Sequence, residues 1–220
     1  MTAIYQGLGY APMGYPVAPV PFGLMNLASY PVPTARDLFL ANLDMDSCPA
    51  TNVVQNFRLD AFEGTWYQQA INHDAQKQQG GECVKAEYTD NGDGNVHVYN
   101  SQQKKDQFGN LKPRTSITGL ARPANNNHDG HLKVRLTGMP FEGNYDVLKT
   151  DYTSYAIIYA CDEYAGMKSE LAWVLTRQPN PVLDPVFDQA RYEYSKVGID
   201  FDNEFELTMQ GGAAGCNYSH

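Results

Sequence analysis

The sequence predicts an all-β domain: an antiparallel meander of eight strands followed by one amphipathic helix and a last short strand. Two observations carry this. The composition is aromatic and polar, with 15 Tyr, 9 Phe and 2 Trp and only 19% charged residues, which favours strand over helix. From Phe62 onward, short segments of β-branched and aromatic residues recur between Gly, Asn, Asp and Pro clusters that read as turns. At 220 residues there is room for one substantial domain and a tail.

Taken in order, residues 1–43 form a Pro/Tyr-rich extension, and residues 44–220 form the domain. The repeated Tyr-Pro, Val-Pro and Gly-Tyr pairs of the extension resist helix and favour extended backbone. It reads as a solvated tail or as an arm packing on the domain or a partner. Its opening stretch lacks a basic segment followed by an unbroken apolar core, so it does not read as a signal peptide, and the numbering is expected to begin after processing.

Strands are expected at 63–71, 83–90, 95–102, 113–121, 131–137, 144–150, 154–161 and 169–177, with the stretch "TDNGDGN" as a hairpin turn. The stretch "PVLDPVFDQARYEYSK", Pro181 to Lys196, places Val182, Val186, Phe187, Ala190 and Tyr194 on one side at helical spacing. Gly198 stops that helix, and "EFELTMQ" supplies the short extra strand.

A net charge of −9 argues against nucleic acid or an anionic membrane surface as partner, since both need concentrated Lys and Arg. No apolar run approaches the roughly 18 to 20 residues that cross a bilayer as a helix. Cys48, Cys83, Cys161 and Cys216 contain no Cys-x-x-Cys pair, so two long-range disulfides fit better than zinc or dithiol chemistry. Three pairings are open, and an even count at wide spacing suits secretion into an oxidising compartment. Asn217-Tyr218-Ser219 satisfies the N-glycosylation sequon.

The chain contains no nucleophile elbow, phosphate-cradling loop or His-Glu-x-x-His pair, so an enzyme reading has no positive support. "HDGH", His128 to His131, is ordinary turn chemistry before it is a metal site, and no metal is expected.

Gly64-Thr65-Trp66 on the first strand, Thr150-Asp151-Tyr152 between the sixth and seventh, and Arg177 after the eighth resemble the lipocalin family in order and spacing. The phrases "GTWYQQA", "CVKAEYT", "LKTDYTSYAIIYAC" and "MQGGAAGC" are similar to those of the crustacyanins, apolipoprotein D and insect bilin-binding proteins within it. The resemblance runs from about Cys48 to Cys216. It implies an up-and-down barrel forming a calyx, with the helix packed outside. It also implies the pairs Cys48–Cys161 and Cys83–Cys216, and structural roles for Gly64, Trp66, Thr150, Asp151, Tyr152 and Arg177.

Such a barrel has room for one small ligand, with alternate residues facing inward. If Trp66 points in, so do Gln68 and Ala70; Ala86 and Tyr88 follow on the second strand, and Val96, Val98 and Asn100 on the third. Gln68, Tyr88 and Asn100 are the polar anchors this gives. Resemblance to crustacyanin, a carotenoid carrier of crustacean shell, places Gln68, Ala86, Tyr88, Asn100 and His131 around the pigment, with Ala86 standing where a polar residue stands there. Alternation on "HLKVRL" instead sends Leu132, Val134 and Leu136 inward and His131 outward, unless a bulge or the rim intervenes. Leu171 and Trp173 are expected beneath the helix.

The expected function is non-enzymatic carriage of a hydrophobic pigment, an astaxanthin-like carotenoid ahead of biliverdin. A colourless lipid, sterol or fatty-acid carrier is the alternative, and an interaction protein acting through its arm is a third reading. Because a carotenoid is longer than a small calyx is deep, a dimer or larger assembly is expected to cover the projecting end.

Overall fold

The computed structural model describes residues 47–164, 167–212 and 215–218. The Pro/Tyr-rich extension lies outside the described residues. After a one-turn helix α1 (Leu59–Phe62), the chain runs through β1 (Gly64–Asn72), α2 (His73–Gln79), β2 (Glu82–Asp90), β3 (Val96–Gln103) and β4 (Thr115–Pro123). It continues through β5 (His131–Leu136), β6 (Gly143–Thr150), β7 (Tyr155–Tyr164) and β8 (Met167–Thr176). The helix α3 (Asp184–Ser195), the one-turn α4 (Phe201–Glu204) and β9 (Phe205–Leu207) complete it.

From β1 to β8 each strand pairs antiparallel with the next, and β1 also pairs with β8, which closes eight strands into a barrel. Closure leaves no open edge between the first and last strands. β9 adds outside it, opposite Ala70, Ile71 and Asn72.

The alternation fails once in β1, and the failure is informative. Gln68 faces Leu175 and Ala70 faces Val174, so Gln69 is an extra residue in the ladder. Its amide donates to the Thr176 hydroxyl at 2.8 Å. A bulge of this kind reverses which side the following residues take. Ala70, expected to face inward, accordingly packs outside with Val174, Val186, Ala190 and Tyr194.

α3 begins at Asp184, three residues later than expected, with Pro185 in the first turn where its missing N–H costs nothing. Val182, assigned to the helix face, precedes it and is 78% exposed. Val186, Ala190 and Tyr194 then bury one stripe against β7 and β8. The Tyr194 hydroxyl lies 3.0 Å from the Ile158 carbonyl and 2.9 Å from that of Trp173. Burying such side chains contributes about 1.5 to 3 kcal/mol each for those of Val or Leu size.

The barrel wall thus separates two apolar clusters, one under α3 and one inside. Leu171 and Trp173 belong to the inside, contrary to expectation: Ala172 and Val174 are the β8 residues under the helix. Disulfides Cys48–Cys161 and Cys83–Cys216 span 113 and 133 residues and pin both ends of the domain to the barrel.

Candidate functional site: a calyx with a sealed floor

The closed end is built around Trp66, which is fully buried. The Arg177 guanidinium lies over its ring, with Cζ 3.7 Å from the centroid. The same group donates to the carbonyls of Tyr152 at 2.9 Å, Thr65 at 3.1 Å and Ala61 at 3.0 Å. Trp66 Nε1 donates to the Phe62 carbonyl at 2.8 Å. A cation that is both stacked and hydrogen-bonded can be half-buried without loss. Gly64, at φ +92°, lets the chain enter here, since a Cβ would also sit 3.2 Å from the guanidinium.

Thr150-Asp151-Tyr152 makes the adjoining turn. Asp151 accepts from the backbone N–H groups of Thr153, Ser154 and Tyr155. Burial alone would raise its carboxyl, but those backbone bonds outweigh it and hold the group below the usual range. Thr150 accepts from the Tyr152 N–H and donates to the Tyr155 carbonyl, fixing Tyr152 at φ +68°.

Above the floor lies a cavity of about 500 Å³. Gln68, Ala86, Tyr88, Val98 and Asn100 all line it. Val96 is buried below, next to the floor. His131 does not line the cavity. Unbroken register of β5 on β6 sends Leu132 and Val134 inward, and the His131 ring faces outward to Asp146, Nδ1 to Oδ1 2.9 Å. Asp146 also accepts from the Thr51 hydroxyl, so this cluster straps the N-terminal segment to the outer wall.

Inside, the Tyr88 and Tyr145 hydroxyls bond each other at 2.9 Å, and Tyr145 stacks on Trp173. Burial pushes the Tyr88 phenol up to about 12, opposed in part by its bond to Tyr145; burial likewise raises Tyr145 well above its ordinary value. Both are neutral at physiological pH. Asp162, also on the lining, has its carboxyl raised by burial, against the Asn144 N–H and nearby Lys133. Gln68 sends its amide to the Thr208 hydroxyl at 2.6 Å, so that anchor already has one partner.

At the mouth, Ile117 and Phe141 are 39% and 44% exposed and form an apolar rim with Met139. Across from them α2 folds over the opening. A second concavity, of about 610 Å³, lies on the outer wall of β3 to β5 among outward residues such as His97, Leu120 and Arg135, with the Arg122–Glu142 ion pair in it. Its larger volume is surface relief; the calyx is the space enclosed by apolar walls. Among the described residues, no group of three or more His, Cys, Asp or Glu is placed to hold a metal ion.

Leu171, Trp173, Tyr145, Gln78 and Gln79 were not anticipated as lining. Counting back by twos from Arg177 gives Leu175, Trp173 and Leu171 on the floor-facing side, so the β8 signal was present. For α2 it lay in Asn72, whose side chain accepts from the Ala75 N–H as a cap, with Gly80-Gly81 as the stop.

A closed eight-stranded calyx with a plugged floor, an outer helix and an apolar interior is the architecture of a carrier of small hydrophobic molecules. The Lipocalin-like domain family matches residues 57–206. The chain belongs to the lipocalin family. It is 33% identical to the Lazarillo protein of Schistocerca americana over 74% of each chain. It is 31% identical to the bilin-binding protein of Pieris brassicae, over 60% of this chain and 67% of that one. Among solved structures, lobster apocrustacyanin A1 superimposes with a TM-score of 0.57 at 25% identity, covering 71% of this chain and 81% of that one.

Proposed function

We propose that the protein is a secreted, non-enzymatic carrier of a hydrophobic pigment, an astaxanthin-like keto-carotenoid ahead of biliverdin. The observation that carries this is the charge of the cavity wall. Its polar groups are carboxamides, hydroxyls and the neutral Tyr88–Tyr145 pair, with Asp162 as its carboxylate. Of the two lysines bordering it, Lys85 is tied to Glu87 and to the Tyr218 carbonyl, and Lys104 is exposed at the rim.

Biliverdin carries two propionates and a fatty acid carries one carboxylate. An anion taken out of water needs a paired cation, which this interior does not present among the described residues. A neutral polyene with oxygenated ends pays no such penalty. Its long apolar body suits the Val98, Leu171, Trp173 and Leu175 walls, and amide dipoles near an end-ring oxygen would shift its colour. The similarity to a bilin-binding protein keeps biliverdin as the second reading.

A polyene longer than the calyx projects past Ile117 and Phe141, and cover by a second subunit follows from that exposed rim. The visible spectrum of the protein from its native source, with mass spectrometry of an organic extract, tests the reading. A carotenoid band is expected. A colourless preparation yielding only fatty acid or sterol overturns it, and a biliverdin spectrum reverses the order of the two pigments.

A further inference from the structure

Hydrogen-bonding capacity is spread unevenly along the cavity. Toward the floor the polar groups satisfy one another: Tyr88 with Tyr145, and Trp66 with the Phe62 carbonyl. Gln76 Oε1 on α2 and Ser169 Oγ on β8 are buried without a partner away from the cavity lining, and two further carboxamides are left over on the lining itself. Gln78 Nε2 on α2 and Asn100 Oδ1 on β3 are buried with no hydrogen-bond partner, and both residues line the cavity. Orphaned buried polar groups are rare in folded proteins, and each calls for a group that completes it, such as a water, an ion or a bound molecule.

Gln102 links α2 to the strand that carries Asn100. Gln102 lies two residues beyond Asn100 on the same strand face, about 7 Å along it. Its Nε2 donates to the carbonyl of Gln79, the neighbour of Gln78, at 3.0 Å. From the facing wall Trp173 Nε1 donates to Gln79 Oε1 at 3.3 Å. The end of α2 is therefore clasped from β3 and β8 over the space that Asn100 borders. Gly81 makes the clasp possible, because a Cβ there would collide with the Gln102 carboxamide.

We propose that Gln78 and Asn100 form a mouth-side subsite that reads the polar end of the ligand, which enters with its other end toward the Trp66 floor. The proposal rests on the pigment-carrier reading and specifies the chemistry of the recognised end. Two carboxamides present donors and acceptors together, and exchanging O and N in either leaves that true. The group that fits is neutral and carries an acceptor and a donor on neighbouring atoms: an α-hydroxy ketone, as on an oxygenated carotenoid ring, or a lactam, as at a bilin terminus. A carboxylate offers acceptors alone and meets the amide oxygens unfavourably. Terminal amide torsions are broad, so both side chains can turn to the ligand without backbone movement.

The test is titration of the full chain with astaxanthin, with β-carotene (the same polyene without oxygen) and with biliverdin, followed by absorption. Gln78→Leu and Asn100→Leu are each expected to weaken astaxanthin about tenfold, or 1.4 kcal/mol, while β-carotene stays within about twofold. Loss on biliverdin but not on astaxanthin supports the subsite with the lactam as its target. Equal losses on β-carotene, or no loss on either oxygenated pigment, overturn the subsite and leave the carrier reading intact. Failure of the unaltered protein to bind any of the three overturns the carrier reading and the subsite with it. Gln78→Met and Asn100→Val repeat the measurement if circular dichroism shows that leucine disturbs the fold.

Discussion

The two ends of the barrel solve opposite problems. At the floor, Trp66 is buried and Arg177 half-buried, and their polar groups and those of the Thr150–Tyr152 turn are hydrogen-bonded within the chain. At the mouth, apolar side chains are exposed and buried amides have no partner. A folded chain tolerates such loose ends when a ligand completes them. Stability is therefore concentrated at one end and the proposed recognition at the other, and substitutions at the two ends should separate these properties.

The largest effect on stability is expected from Trp66→Ala, which empties the floor and strips Arg177 of its stacking surface; about 3 to 5 kcal/mol is lost in denaturant unfolding. Replacing Cys48 and Cys161 together by Ala should cost roughly 2 to 4 kcal/mol by releasing a long loop. A loss below about 1 kcal/mol from Trp66→Ala would show that the floor is not the anchor of the barrel.

Between the ends, Tyr145→Phe leaves the Tyr88 hydroxyl unpaired and should cost about 1 kcal/mol at neutral pH. The pH dependence has a definite sign. The folded Tyr88 phenol is raised to about 12, so its contribution is complete below the unfolded value of about 10 and is lost as pH rises from there toward 12. Alkaline unfolding followed by tyrosinate absorbance should show Tyr88 titrating with the loss of structure. Titration below pH 10 in the folded protein would contradict its burial.

The floor was legible in the sequence through the resemblance to the lipocalin family, which assigns Gly64, Trp66, Asp151 and Arg177 structural roles although they lie far apart along the chain. The lining was legible only as far as alternation held. It placed Gln68, Ala86, Tyr88, Val98 and Asn100 on the wall, then failed at Ala70, because a bulge at Gln69 depends on what β8 places opposite. At His131 alternation held and gave the outward placement that the unbroken register of β5 on β6 shows, against the lining role implied by the resemblance to crustacyanin. α2 is seven residues long, too short for a convincing hydrophobic period, so the helix that brings Gln78 to the mouth went unseen.

The smallest effect compares one carboxylate from each end. Asp151 at the floor is held low by backbone N–H groups, whereas Asp162 on the mouth side is raised by burial, with Lys133 opposing and Asp146 adding to the rise. The signs are therefore opposite. Asp151 stabilises the fold above the unfolded carboxylate value of about 4, and the contribution fades as pH falls through its depressed folded value. Asp162 favours the fold when protonated, a contribution present below about pH 4 and lost as pH rises through its raised folded value. Asn can accept the same N–H bonds at either site, so Asp151→Asn should lower the melting temperature slightly at pH 7 and Asp162→Asn should raise it slightly. Both differences should shrink as pH falls, Asp162→Asn losing its effect first. Melting curves between pH 7 and 2 check this, and a shift of the same sign for both variants at pH 7 would refute the electrostatic contrast between floor and mouth.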